Sequence, residues 1–298
     1  MKKILCVGHS AYDITYLLPN FPEENRKYKV EKRCMMSGGP AGNAAYLLSK
    51  YSEEVSYITT LGNDLYGKKI LEELHEIGVD TRNTIVRDDF VTPCSFIITN
   101  TTNGSRTILN YREGNDVKDL KFTYEKAPEI IHFDGHELEI ALQIIDMFPN
   151  AVKVLDAGSY KEGTRVLATK VDYLICSEDF ARAHCKIDHI DESNFKEVLD
   201  ILGKLNQKTV IVTLGERGSI MLRDGKVHQF KAFKAKAIDT TGAGDIFHGA
   251  FVYGLSKGFS LDENIEFCSA CASLSVEKIG GRNSIPELKE VYERIKRG

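Results

Sequence analysis

Hydrophobic positions along this chain follow two different periods. Short, almost continuously apolar runs occur at 4–7, 55–60, 130–133, 152–156, 173–176 and 209–214, the pattern of strands buried on both faces. Between them lie stretches with apolar residues three and four apart, at 42–50, 65–77, 138–147, 164–169, 195–205, 244–256, 261–277 and 287–296, which predict helices with one buried stripe. Strand and helix in alternation predict an α/β fold, a doubly wound and mostly parallel sheet with helices on both faces.

Two segments break that rhythm. Residues 12–36 and 92–112 read as strands with polar alternation, and Asn103-Gly104 favours the positive φ of a hairpin turn. Strands of this kind do not suit a helix-covered sheet, so they predict a small β-sheet beside the main one, placed as a lid. A further hairpin is expected from 218–222 to 226–230 across Asp224-Gly225. No internal repeat or low-complexity segment is evident.

Composition narrows the class. Of 298 residues, 28% are charged and the net charge is -4, so the basic footprint of a nucleic-acid binder is missing. No apolar run reaches the length of a membrane span. Lys2-Lys3 leads into only a short apolar run, read here as a buried first strand rather than a leader. The seven cysteines are scattered, which suits a reducing compartment and a cytoplasmic protein. Cys268 and Cys271 are spaced C-x-x-C inside a predicted helix with no second pair, and core packing is the expectation for them.

The segment richest in chemistry runs Asp239-Thr240-Thr241-Gly242-Ala243-Gly244-Asp245-Ile246-Phe247-His248. Small residues and glycines lead straight into an apolar helix. Such a junction gathers unpaired backbone N–H groups at the positive end of the helix dipole, a site for phosphate or a developing oxyanion. An aspartate at a helix start is commonly a favourable dipole charge. Beside an anion nest, however, it would repel the anion, so Asp245 is better read as a base that takes a proton from an alcohol. A second glycine-rich entry, Ser37-Gly38-Gly39-Pro40-Ala41-Gly42-Asn43, is either a plain helix start or a place where ligand approaches the backbone, with Asn43 offering both donor and acceptor. No Walker P-loop is present.

Together the two segments resemble the two signatures of the ribokinase-like (PfkB) carbohydrate kinase family, in the same order and over essentially the whole chain. The resemblance implies one ribokinase-like kinase domain over 1–298, with lid strands from about 12–36 and 92–112. It implies an ATP-dependent kinase acting on a hydroxyl of a small sugar, with Asp245 as base and Gly242, Ala243 and Gly244 as the anion hole. Asp13, Gly38, Gly39 and Asn43 would bind the sugar. The nucleotide would lie along Thr213, Gly215 and Gly218, where a strand ends in a tight turn. Mg²⁺ accompanies ATP, and the loop at 279–284 resembles one that, with the region near Asp239 and Thr241, holds a monovalent cation such as K⁺. Several relatives pair through the lid, so a homodimer is a further expectation.

One departure concerns the metal. Many members carry Asn-x-x-Glu after the strand at 173–176, whereas this chain reads Ser177-Glu178-Asp179-Phe180. Glu178 is then a candidate to order Mg²⁺ through water, or simply a residue starting the next helix. His132 and His136 suit a pocket wall better than a metal, and His248 is expected as a packed histidine. Arg106 and Arg112 flank a lid strand, and Arg106 is placed to meet an anionic group. Tyr111-Arg112 resembles the lid of fructokinases and 2-keto-3-deoxygluconate kinases, and Ser177 resembles ketohexokinases, so the expected acceptor is a ketose or keto-acid sugar. The alternatives are a nucleoside kinase, with Tyr12, Tyr16, Phe21, Tyr28 or Phe96 as stacking surfaces, and a sugar-binding protein without activity.

Overall fold

The computed structural model describes residues 2–113 and 120–298. Eight strands form the main sheet, in the order Lys226–Phe230, Ser219–Arg223, Thr209–Thr213, Tyr173–Ser177, Val152–Ala157, Ile130–Phe133, Lys3–Val7 and Glu54–Ile58. The strands from Glu54–Ile58 through Thr209–Thr213 are parallel, and the two at the other edge are antiparallel. The expected late hairpin is thus the edge of this sheet, with Asp224 and Gly225 both at positive φ in its turn.

Alternation along the strands divides the core. Ile4 and Cys6 pack on one face, Leu5 and Val7 on the other. The first face is covered by the helices Pro40–Lys50, Ala243–Lys257 and Leu261–Ser275, and the second by Leu138–Met147, Glu178–Cys185 and Phe195–Leu205. Cys268 and Cys271 are free thiols buried in the helix Leu261–Ser275. Among the described residues, no helix is long and apolar enough to cross a membrane.

A separate four-stranded sheet has the order Arg33–Gly38, Ala11–Leu18, Cys94–Asn100, Arg106–Tyr111. The 12–36 segment therefore supplies two strands joined by an irregular, mostly exposed stretch. Gly104 takes the positive φ expected at the hairpin. Arg106–Tyr111 is exposed along its whole length.

Two details refine the sequence reading. The strand predicted through Thr60 stops at Ile58, and Thr60–Gly62 pairs instead with Ile85–Arg87 in a small sheet of its own. The helix Glu178–Cys185 begins where Ser177 accepts a hydrogen bond from Phe180 N–H, a serine N-cap with acidic residues in the first turn.

Candidate active site

Parallel strands all end at one edge of the sheet, and ligands of open α/β folds gather there. Gly242 caps the helix Ala243–Lys257 with φ +75°, a left-handed conformation that glycine adopts without strain. Ala243 N–H turns back to Thr240 O at 3.3 Å. The first-turn N–H groups of Gly244 and Asp245 have no intrahelical acceptor. A Cβ on Gly244 would meet nothing within 4 Å, so this turn opens outward.

Asp245 is half-buried on that turn and accepts a 2.7 Å hydrogen bond from Asn43 Nδ2. The contact depends on helix packing: a Cβ on Gly249 would lie 3.1 Å from Ala44 Cα, so glycine there lets the helix Pro40–Lys50 approach. Asn43 is itself buried, and its Oδ1 is an unpartnered acceptor. Burial first, and then the charge of Asp156, push Asp245 up to about 6.

Asp13 comes from the lid strand Ala11–Leu18. Its carboxylate fills the space over Gly38, where a Cβ would lie 2.0 Å from Asp13 Oδ2. Burial, with Asp245 adding repulsion and Ser95 opposing, also pushes Asp13 up to about 6. Gly39 sits at φ +89°, against the backbone of His9 and Ser10. Asp13, Gly38, Gly39, Asn43, Gly242 and Asp245 are therefore brought together from the four-stranded sheet and two helix starts.

Two loops close around this group. Buried Asp239 accepts from Thr241 N–H at 3.0 Å and from Gly280 N–H at 2.9 Å, which ties the 239–245 turn to the 280 loop. Arg106 reaches from the lid to the Thr240 hydroxyl, so it contacts the turn itself. Arg282, buried next to Gly42, pairs with Glu73 at 2.9 Å, and Glu73 also accepts from Ser37 N–H.

Behind the helix start, buried His248 lies between Asp156, Gly244 O and Ile175 O. To the side, the Asp134 carboxylate accepts from the backbone N–H groups of His9, Ala41 and His136 at 2.7, 3.2 and 2.9 Å. Although burial alone would raise it, nearby His136 and Lys161 hold Asp134 down to about 2. Arg112 bonds His136 and pairs with Glu137 at 3.2 Å. Burial lowers Lys161 to about 8.

On the other side, Thr213 Oγ1 donates to Cys176 O, and Leu214 N–H meets Gly218 O at 2.7 Å, closing a turn with Gly215 and Gly218 at positive φ. A Cβ on Gly218 would lie 1.8 Å from Phe230 O. Glu178 is at the same edge, paired with Arg217 at 2.5 Å. Among the described residues, no three His, Cys, Asp or Glu side chains form a metal cage.

Sequence reasoning passed over Asp134, Asp156, Lys161, Glu73 and Arg282. Each is a charged residue with a partner far along the chain, and nothing in its local sequence gives it a role.

The chain is also similar to known proteins over nearly its whole length. Residues 1–288 match the pfkB family carbohydrate kinase model. A ribokinase of Staphylococcus aureus is 28% identical over 98% of this chain and 99% of its own. A nucleoside kinase of Methanothermobacter thermautotrophicus is 25% identical over 99% of this chain and 96% of its own. The solved structure of Arabidopsis thaliana ribokinase with ribose and ATP superposes with a TM-score of 0.85 at 23% identity, covering 99% of both chains.

Proposed function

The chain belongs to the pfkB family of carbohydrate kinases and is an ATP-dependent carbohydrate kinase, and from that premise we propose that Asp245 is the base that deprotonates the acceptor hydroxyl. The observation that carries this reading is the 2.7 Å contact between Asp245 and Asn43 at the mouth of the glycine-lined turn. It joins the carboxylate to a group able to bind a sugar hydroxyl. Asp13 orients further hydroxyls over Gly38 and Gly39. The 242–244 turn, with the free N–H groups of Gly244 and Asp245 at its end, steadies the transferring phosphoryl group, and Arg106 adds charge from the lid.

ATP lies along Thr213, Gly215 and Gly218. Mg²⁺ bound with ATP would supply charge neutralisation at the phosphates, and Glu178, a carboxylate at the same sheet edge, would help hold its water shell. Residues 239–241 and the 279–284 loop form the monovalent-cation site. The four-stranded sheet covers the sugar and excludes water, and its exposed outer strand is the surface through which two chains pair. The acceptor is a ketose or keto-acid sugar, a reading that rests on the resemblance of Tyr111-Arg112 and Ser177 to kinases of such sugars. A nucleoside acceptor is the second reading, favoured by the likeness to the archaeal nucleoside kinase. Tyr12, however, is buried and stacked on Tyr66 at 4.7 Å, so it is not free to hold a base.

The test is ADP release against a panel of ketoses, keto-acid sugars, aldoses and nucleosides, with and without K⁺. Asp245→Asn is expected to lower kcat by about 10²–10⁴-fold with little change in acceptor binding. Near-wild-type turnover in that variant would remove Asp245 from the role.

A further inference from the structure

The oxygens around His248 define its charge state. Nδ1 lies 2.6 Å from Gly244 O and 3.1 Å from Asp156 Oδ2, and Nε2 lies 3.3 Å from Ile175 O. The two carbonyls only accept, and so does an ionised Asp156. A neutral imidazole carries a single N–H, so one of its nitrogens would turn a lone pair towards an oxygen. The doubly protonated ring satisfies both sides. His248 and Asp156 are almost fully buried, and a buried imidazolium needs such a counter-ion. Burial lowers the basicity of His248, but Asp156, Asp245 and Gly244 O together raise it above its ordinary value. Conversely, burial works to raise Asp156, and His248 leads the charges that hold it low.

The pair touches the catalytic turn. Gly244 O, which accepts from the ring, belongs to the residue immediately before Asp245. Besides burial, Asp156 opposes ionisation of Asp245, while Asn43, His248 and Arg106 favour it; Asp13 lies across the site and is itself raised by Asp245. His132, buried with both ring nitrogens unpartnered and basicity lowered by burial to about 4, faces the same pair as a neutral group.

We propose that Asp156 and His248 form a buried ion pair that pins the first turn of the helix Ala243–Lys257 and sets the ionisation of Asp245. Both are positioning residues, and the second half of this inference rests on Asp245 as the base. The imidazolium anchors the Gly244 carbonyl, which fixes the direction of the turn's free N–H groups. Asp156 raises the proton affinity of Asp245, and the imidazolium limits that rise. The carboxylate is thereby a stronger base than an exposed aspartate yet ionised at neutral pH.

Two measurements test it. In a ¹⁵N-histidine NMR titration of the wild-type protein, both His248 nitrogens are expected to be protonated at pH 7, where an ordinary histidine is mostly neutral. In Asp156→Asn the ring should lose its proton at least about one unit lower. A neutral wild-type ring at pH 7 overturns the ion pair, whether or not the variant folds and whatever the protein phosphorylates. The acid limb of kcat/KM, read beside a ¹³C carboxyl titration of Asp245, should move to lower pH in Asp156→Asn, because the lost Asp156 charge outweighs the weakened imidazolium. A fall in rate at every pH with the limb unmoved would mark Asp156 as merely structural and overturn the coupling. Should no acceptor turn over, the kinase assignment of Asp245 fails, while the two NMR titrations still decide the pair.

Discussion

Replacing Gly38 with alanine isolates the sugar side of the site. The new methyl would lie 2.0 Å from Asp13 Oδ2 and 2.7 Å from its Cγ, so the carboxylate must retreat by roughly 1.5 Å to reach ordinary contact. The strand cannot move instead, because Asp13 is paired with Met36 on one side and Ser95 on the other. The side chain rotates and loses its aim at the acceptor. A hydrogen bond to a charged group contributes about 1.5–3 kcal/mol, so kcat/KM for the sugar should fall by roughly 10- to 150-fold. The KM for ATP should hold, because the nucleotide edge lies across the sheet. The assay is coupled ADP release against sugar concentration at saturating ATP. The combined variant Gly38→Ala, Asp13→Ala should be little worse than Asp13→Ala alone, since both remove one interaction. A sugar KM within twofold of wild type in a folded Gly38→Ala protein, or fully additive losses, would refute the reasoning.

The remaining predictions concern pH, stability and assembly. Asp245 and Asp13 are both raised to about 6, and a base works only when deprotonated. Turnover should therefore be full above pH 7 and fall as pH drops through about 6; a rate independent of pH from 5 to 8 contradicts this. Glu73→Ala leaves the buried Arg282 guanidinium without its carboxylate and should cost about 3 kcal/mol in urea unfolding, the low end for a broken buried pair because Glu73 is partly exposed; a loss below about 1 kcal/mol would count against that pairing. The outer lid strand presents Ile108, Leu109 and Tyr111 to solvent, beside exposed Phe96. Light scattering should return the mass of two chains, and a monomer at working concentration rejects pairing through this sheet.

What could be read from the sequence was local. The strands announced themselves because a strand buried on both faces is apolar throughout, and Asp245 stood out because two glycines preceded it at a helix start. Long-range partnerships stayed hidden. That Asn43 reaches Asp245 depends on Gly249 packing on Ala44, a fact of helix spacing rather than of either motif. His248 read as a packed histidine and is indeed buried, but its partner Asp156 looked like an ordinary strand end. Arg282 and Glu73 are 209 positions apart. The helix Glu178–Cys185 was one of two readings, because its acidic first turn fitted both a metal ligand and a helix start. Ser177 as its N-cap was the signal available, since a serine just before such a turn is a common start of a helix.

Asp134 has a consequence for how this protein could change its acceptor. Its single carboxylate gathers the chain after the first strand, the start of the Asn43 helix and the His136 turn, and Gly8 leaves it room, since a Cβ there would lie 2.2 Å from it. The floor of the pocket is in effect one knot, and loosening any strand of it shifts the others. Variation in what is recognised would be expected to accumulate overhead, on the sheet that covers the pocket, while the knotted floor stays as it is.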